Sequence, residues 1–377
     1  MSDSELRTGR FFCLDIARGL AIISIILFHA IESDRRGYGT LLRTVMSSGY
    51  LGVPVFFLIS GYSICSSITS QRGTLSGLPF LLKRLKRIYV PYWWSLIFAF
   101  IVVPITTETL KYFTHISSNI PLINYSVTDW LEVITLIKVF FSDGWHLGAA
   151  FTPLWSNWFI AVIVQIYLVV SVILGLKVSL YKACLVLSFA SLLSIIPTVK
   201  SILPEGIFLP YWIDFSTGIL LFYMIHGVGH FWYYSHKGGV IIAFVSTILF
   251  AFLYIVTSQE FFFCLSIAVI AYTVYPYDHL ISTVFLSKMM AFIGQISYSL
   301  YLIHIPLIWI IIPNLYIFRL PMFISHAVIT VSLVIIIGYV WYVFFEKQST
   351  LSATVLSFVR PFDTLRSDYR SHIMLLK

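Results

Sequence analysis

The first strongly apolar segment of the chain carries three side chains that can do acid–base chemistry. In LDIARGLAIISIILFHA, Asp15 and Arg18 are spaced i and i+3, so they can pair on one face of a helix. Arg18 and His29 share a face at 100° per residue, and about 16 Å of helix rise separates them. An imidazole that titrates near neutrality can act as a general base. We therefore expect Arg18 and His29 to face one cavity at different depths.

A structural interpretation of the same residues stays open. A charge inside a membrane span costs about 2.5–3.5 kcal/mol on insertion scales, so charges usually mark a function or an internal pair. Asp15 and Arg18 could be a buried pair that holds helices together. His29 could cap the outer end of its helix.

The composition identifies the solvent of this chain as lipid. Of its 377 residues, 59% are hydrophobic and only 11% are charged, against about 25% charged in ordinary soluble domains. The mean hydropathy is +0.92. Aromatic residues reach 17%, which suits the interfacial belts of a protein with many spans. The 4 cysteines show no CxxC spacing, so we expect neither a disulfide framework nor a metal site.

Apolar stretches near 20 residues predict ten membrane helices. They cover approximately 11–31, 48–68, 88–106, 154–176, 182–197, 207–226, 239–257, 261–275, 290–312 and 322–345. The stretch Val127–Phe141 is shorter and carries three charges, so it is interpreted as an interfacial or re-entrant helix.

The basic residues predict the orientation of the chain. With ten spans and the N-terminus inside, 16 of the 24 basic residues fall on the cytoplasmic side and seven outside, which favours cytoplasmic termini. The predicted fold is an all-α polytopic bundle of about ten transmembrane helices. Residues 1–10 form a cytoplasmic N-terminus, residues 11–346 one membrane domain, and residues 347–377 a cytoplasmic tail.

A basic cluster precedes the third predicted span, in KRLKRIYVPYWW. Arg84 and Arg87 are spaced i and i+3, and two guanidinium forks on one face suit bidentate recognition of phosphate. Anchoring of the helix at the cytoplasmic surface explains the same residues without a ligand.

Further polar residues interrupt four other apolar segments. The segments are VPVFFLISGYSI, NWFIAVIVQIYLVV, DFSTGILL and FIGQISYSLYLIHIPL. Hydrogen bonding and close packing between helices would explain each one separately. Gly61 in the first of them predicts a close helix approach.

Taken together, these motifs resemble the membrane acyltransferase-3 family. Its Arg-x10-His pattern is matched by Arg18 and His29, its Arg-x-x-Arg followed by Ile-Tyr-x-Pro by Arg84 and Arg87, and its Ser-Tyr-Ser…Tyr-Leu-x-His by residues 297–304. The resemblance runs in family order from residue 18 to residue 347. Ile163 and Val164 stand where many members carry Glu, so any acid role at this site must come from elsewhere. Gln348 stands where Pro is common.

The resemblance implies an integral membrane O-acyltransferase of the bacterial inner membrane. It would transfer an acyl group, most often acetyl, from acetyl-CoA to a hydroxyl of a surface polysaccharide or O-antigen sugar. His29 would be the general base, with Arg18 held by Asp15 to orient the donor or stabilise charge, and Arg84 and Arg87 would bind the donor phosphates. The implied cavity or acceptor residues are Ser60, Tyr62, Trp158, Gln165, Tyr167, Asp214, Ser297, Tyr298, Tyr301 and His304.

The same resemblance fixes the expected partners. They are the acyl-CoA donor, a glycan or lipid-linked sugar acceptor and membrane lipids, with no nucleic acid, no permanently bound cofactor and no metal. Direct transfer and an acyl-enzyme on Ser60 or His29 both stay open. So does the role of the outer segment Thr107–Pro153, either as a sugar-stacking surface or as an interfacial lid.

Two other classes of function compete on physical grounds. A glycan or lipid flippase would also line its path with buried charges. A glycan polymerase or ligase would use a lipid-linked donor and no thioester. The Arg-x-x-Arg segment and the Ser-Tyr-Ser…His run favour the enzyme.

Overall fold

The computed structural model describes residues 11–33, 40–70, 77–102, 105, 127–137, 157–194, 196–204, 206–226, 238–317 and 323–347. Within these ranges the chain is helical and contains no strand, which confirms the prediction of an all-α protein. The predicted terminal segments 1–10 and 347–377, the latter apart from Lys347, and most of Thr107–Pro153 lie outside the described residues.

The described helices occur along the chain in the following order. They are α1 (Phe12–Ser33), α2 (Thr40–Ser47), α3 (Gly52–Ser70), α4 (Gly77–Ile97), α5 (Val127–Thr135), α6 (Trp158–Gly175), α7 (Leu180–Ser194), α8 (Pro197–Lys200), α9 (Trp212–His226), α10 (Gly238–Thr257), α11 (Glu260–Val274), α12 (Asp278–Ile281), α13 (Phe285–Gln295), α14 (Ser297–Ile317) and α15 (Phe323–Trp341). Single π-helical turns extend α4 over Phe98–Val102 and α15 over Tyr342–Glu346.

Five stretches among the described residues are long and apolar enough to cross a membrane, or six if one bent pair counts as a span. The five are Phe12–Ile31, Thr44–Thr69, Trp158–Gly175, Glu260–Ile281 and Ala327–Glu346. The chain is therefore a helical membrane protein. Ten spans and cytoplasmic termini remain predictions.

The helix α3 lies at the centre of the bundle. In the stretch that contains it, Thr44–Thr69, 72% of the apolar window is buried, against 22% in Ala327–Glu346. A helix that is apolar on all sides and enclosed by others belongs to the interior. The polar positions of α3 therefore face other helices.

Two glycines bring α3 and α9 into backbone contact. A Cβ atom on Gly61 would collide with the carbonyl oxygen of Phe215, and one on Gly218 with that of Leu58. Small residues allow such approaches between membrane helices. The predicted close approach at Gly61 is confirmed.

A second glycine pair fixes α1 against α13. A Cβ atom on Gly19 would collide with the carbonyl oxygen of Met290, and one on Gly294 with that of Asp15. Because Gly19 follows Arg18 directly, this crossing sets the position of the charged end of α1.

We expect Gly218→Val to destabilise the bundle and Gly175→Val to leave it nearly unchanged. Overpacking typically costs about 1–3 kcal/mol, and the added atoms at Gly218 meet backbone that cannot move aside. Gly175, at the end of α6, has nothing within 4 Å of an added Cβ. Thermal unfolding of the detergent-solubilised variants measures the difference. Equal losses in Tm would contradict this account of the crossing.

The prediction of one continuous helix over 290–312 is wrong. The chain forms Phe285–Gln295 and Ser297–Ile312 with a bend of 72° between them. Gly294 is a poor helix former held against the backbone of α1, and the serines that follow are favoured at helix starts. The bend turns the first residues of α14 towards α4 and α1.

The third span also differs from its prediction. The structure begins α4 at Gly77 rather than near residue 88, since Pro79 is tolerated in a first turn. A hydropathy window excludes the basic residues, although basic residues are good helix formers. Arg84 and Arg87 therefore lie on a helix rather than at its foot.

The short helix predicted within Val127–Phe141 is confirmed as α5, which packs beside α4. The hydroxyls of Tyr92 and Tyr89 donate to the carbonyl oxygens of Val133 and Thr135 at 2.7 and 2.9 Å. The indole of Trp93 donates to Ile134 at 3.2 Å. Side chains of α4 thus bond to the last carbonyls of α5, where the helix no longer supplies its own donors; the carbonyl of Val133 also accepts the N–H of Leu136.

Candidate active site

A cavity of about 200 Å³ opens between α1, α3, α4, α6 and the bend before α14. Its lining combines cationic, hydroxyl and aromatic side chains. The lining residues are Arg18, Phe56, Ser60, Ser63, Arg84, Arg87, Ile88, Phe159, Ile160, Ile163, Tyr167, Gln295, Ser297, Tyr298 and Tyr301. Eight of the predicted site residues, from five segments of the sequence, meet here.

Arg18 and Asp15 form the predicted pair on α1. The Nη1 of Arg18 lies 3.6 Å from Oδ1 of Asp15. Their side chains are 24% and 13% exposed, so water reaches both only in part. The carboxylate offsets the cost of burying this guanidinium and holds it towards the cavity.

Arg84 is held by aromatic rings. Its guanidinium carbon lies 5.5 Å from the ring centre of Phe80 on its own helix and 5.7 Å from that of Tyr167 on α6. Cation–π contacts of this kind contribute about 0.5–2 kcal/mol. Tyr167, predicted as a cavity residue, lines the cavity and also positions Arg84.

Arg87 and Arg18 share a further carboxylate, Glu346, which is 2% exposed. Both arginines lie close enough to interact with it electrostatically. The hydroxyl of Ser299 donates to its Oε2 at 2.6 Å. Glu346 was not among the predicted site residues, although an ionisable residue inside an apolar segment was an available signal.

The three guanidinium groups give the cavity a positive charge that would suit an anionic ligand. They come from two helices, and no carboxylate is among the described residues that line the cavity. Like charges brought together raise one another's energy. A ligand with several negative charges relieves that repulsion, and guanidinium forks bind phosphate oxygens in bidentate fashion.

Hydroxyls from α14 complete the lining at the bend. Ser297, Tyr298 and Tyr301 all reach the cavity, and the Tyr298 hydroxyl donates to the carbonyl of Ile88 at 2.7 Å. That bond ties α14 to α4 one residue beyond Arg87. The positive end of the α14 helix dipole lies on the same side.

The two predicted histidines lie next to each other just beyond this lining. The rings of His29 and His304 are 5.2 Å apart, and that of Tyr301 is 5.4 Å from His304. The described lining residues end at Tyr301 and include neither histidine. Sequence spacing predicts that Arg18 and His29 face one cavity at different depths. The described cavity lies at the Arg18 end of α1, and His29 is not among its lining residues.

Tyr62 and Asp214 point away from the cavity. Tyr62 follows Ser60 by two residues, which is about 200° around a helix, and its hydroxyl lies 3.1 Å from Nε2 of His226. Asp214 is 3% exposed and hydrogen-bonds to the thiol of Cys264. Neither Arg18 nor a histidine is among the described contacts of Asp214.

Trp158 and Gln165 also lie outside the lining. The ring of Trp158 packs 5.5 Å from that of Tyr211. The side-chain amide of Gln165 donates to the carbonyl of Gly206 at 2.8 Å, and its oxygen accepts from the N–H of Phe208 at 3.0 Å. Gln165 thus fixes the segment that leads into α9.

Asp278 is a residue whose role the sequence analysis missed. Its two carboxylate oxygens accept the backbone N–H groups of Phe12 and Cys13 at 3.0 and 2.8 Å. A carboxylate at a helix start satisfies unpaired donors and suits the helix dipole. Because the two residues are far apart in sequence, no local capping motif could reveal this contact.

The fold and the site define a multi-pass helical membrane protein with a cationic internal cavity. No cluster of His, Cys, Asp or Glu suited to a metal ion occurs among the described residues. A family model described as an acyltransferase domain, that of the acyltransferase-3 family, matches residues 11–343. The chain therefore belongs to the acyltransferase-3 family.

Curated relatives carry names in agreement with the family. The chain is 25% identical over 387 residues to proteins provisionally named O-acetyltransferases in Staphylococcus aureus strains COL, MSSA476 and MRSA252. The alignment covers 88% of this chain and 56% of each relative, so the chain spans about half the length of the curated relatives it matches. No solved structure matches the chain.

Proposed function

We propose that this protein transfers an acetyl group from acetyl-CoA to a hydroxyl of a cell-surface polysaccharide or O-antigen sugar. The observation that carries the proposal is the convergence of Arg18, Arg84 and Arg87 on one cavity. Membership of the family supports acyl transfer, and the names of the relatives suggest acetyl as the group that is moved.

The donor is a good partner for this cavity by charge. Coenzyme A carries several phosphates, and Arg84 and Arg87 would bind them as the donor enters from the cytoplasm. The pantetheine arm would then pass the hydroxyls of α14 towards the histidines. Acetyl-CoA acts here as a substrate, and the proposal includes no permanently bound cofactor.

The transfer step would use His29 as general base. The imidazole takes the proton of the acceptor hydroxyl while that oxygen bonds to the thioester carbonyl carbon. The carbon–sulfur bond breaks, and the leaving thiolate takes the proton back from His29. The products are an acetyl ester and free coenzyme A, and general-base help of this kind contributes about 10²–10⁴-fold.

Arg18 serves the donor rather than the reacting carbonyl. It is about 16 Å along the helix from His29, which is too far for one group to touch both. Paired with Asp15 at 3.6 Å, it would orient the bound donor in the cavity.

The acceptor would meet the thioester near His29, at the far end of α1 from the arginines. A surface glycan or lipid-linked sugar is assembled outside, whereas acetyl-CoA is made inside, so the enzyme must join two compartments. The proposed location is the inner membrane of a bacterium, where the protein is surrounded by lipid.

The test is transfer of label from [acetyl-14C]acetyl-CoA by membranes that contain the protein. We expect label in the glycan fraction that mild alkali releases as acetate, because an O-acetyl ester is alkali-labile. Membranes without the protein provide the control. Absence of label with every acyl-CoA and acceptor fraction tried would overturn the proposal and favour a transporter.

A further inference from the structure

His304 has one ring nitrogen committed and the other available. The side chain is fully buried on α14, and its Nδ1 lies 2.6 Å from the carbonyl oxygen of Tyr301. A carbonyl oxygen can only accept, so Nδ1 carries the hydrogen. In the neutral ring, Nε2 therefore presents a lone pair.

That lone pair is buried without a hydrogen-bond partner among the described residues. Leaving a buried polar atom unsatisfied costs about 1–3 kcal/mol. A cost of this size, next to a cavity lined with functional groups, indicates that Nε2 accepts a hydrogen bond from another group in the active state of the site.

The ring beside it is that of His29. The two ring centres are 5.2 Å apart and their planes are inclined by 41°. At this separation, one nitrogen of each ring lies at hydrogen-bond distance, about 3 Å, when the two nitrogens point towards each other. Both rings are confined by aromatic neighbours, Phe28 at 4.9 Å from His29 and Tyr301 at 5.4 Å from His304.

The sequence of α14 places His304 on the face of the cavity hydroxyls. Ser297, Tyr301 and His304 are spaced i, i+4 and i+7, which lie within about 60° of one another around a helix. The same face thus leads from the cationic cavity to the histidine pair.

We propose that His304 is a positioning residue for His29. Its Nε2 accepts a hydrogen bond from a ring N–H of His29, and its Nδ1–H is anchored on the carbonyl of Tyr301. These two hydrogen bonds hold His29 in one tautomer. The nitrogen of His29 that does not bond to His304 then accepts the proton of the acceptor hydroxyl. A buried acceptor orients and stabilises the catalytic imidazole in the same way in serine hydrolases. The inference rests on the proposed function of His29.

Two variants separate positioning from packing. His304→Leu keeps an apolar group of similar size and removes both nitrogens, whereas His304→Gln places an amide oxygen near the position of Nε2. We expect His304→Leu to lower kcat by about 10–100-fold with KM for acetyl-CoA unchanged, and His304→Gln to recover much of the loss. Should His304→Leu fail to fold, His304→Asn takes its place. The asparagine amide keeps an N–H donor for the carbonyl of Tyr301 but has no acceptor at the position of Nε2.

A second readout does not depend on transfer. Diethyl pyrocarbonate modifies neutral imidazoles, and mass spectrometry gives the rate at each histidine. We expect His304→Leu to slow modification of His29 by about threefold, because the lost acceptor makes the other nitrogen less basic and less nucleophilic. His279, which is exposed on α12, should react at the same rate in all forms and serves as the internal control.

The outcomes are distinct. Slower modification of His29 and a lower kcat, both recovered by glutamine, support the inference. An unchanged rate at His29 in His304→Leu overturns it, whatever happens to kcat, and so does a glutamine variant as impaired as the leucine variant. If the wild type transfers no acyl group but His29 still reacts more slowly in His304→Leu, the histidine pair stands and the proposed function fails.

Discussion

Replacing His29 with alanine is expected to lower kcat for acetyl transfer by about 10²–10⁴-fold. The loss should fall on kcat, because His29 lies beyond the described lining of the donor cavity and 5.2 Å from His304 rather than among the arginines. KM for acetyl-CoA should change little. Initial rates of labelled acetyl transfer at varied donor concentration separate the two constants.

The matched control for this variant is His279→Ala. His279 is a histidine on the exposed side of the short helix α12, so the same chemical change there should leave both constants at wild-type values. A His29→Ala protein that folds like the wild type and keeps its kcat would remove His29 from the reaction. The acyltransferase class would survive that result.

The second large effect is expected from Arg84→Ala combined with Arg87→Ala. Hydrogen bonds to charged groups contribute about 1.5–3 kcal/mol each, so KM for acetyl-CoA should rise by about 10-fold or more. The larger share should come from Arg84, which lies between the rings of Phe80 and Tyr167, because exposed Arg87 is better screened by solvent. Donor titrations of transfer rate measure the change.

Two comparisons make this prediction specific. Lys83→Ala removes the same charge from the same turn of α4, but Lys83 is exposed and is not among the described lining residues, so its KM should stay near the wild type. S-acetylpantetheine lacks the nucleotide phosphates and should be used equally well by the wild type and the double variant. A double variant that is equally impaired with both donors would show that these arginines hold the fold rather than the phosphates.

The sequence correctly predicted which side chains pair and which share a face wherever the residues lie on one helix. The i, i+3 spacing of Asp15 and Arg18 on α1 is realised as a 3.6 Å pair. The close approach predicted at Gly61 is realised against α9. Helix geometry is local, so residue spacing alone determines which side chains share a face.

Helical spacing does not predict contacts between segments that are far apart in the sequence. Ser60 and Tyr62 looked equivalent in the sequence, yet only Ser60 lines the cavity, because their directions differ by about 200° and the neighbours of α3 decide which one matters. Gln165 resembled a site residue and instead holds the segment before α9. Glu346 and Asp278 gained their roles from contacts with Ser299 and the start of α1.

By itself, the sequence determined that this is a helical membrane protein, that α1 is charged at one end and bears a histidine near the other, and that two arginines share a face of α4. Composition and helical spacing are sufficient for these conclusions, since lipid forces the backbone to bond within each helix. Only the tertiary structure decided that three arginines meet in one cavity, that the chain bends by 72° before Ser297, and that His29 and His304 are neighbours. These depend on how helices cross, and crossings are fixed by packing between segments that the sequence does not place side by side.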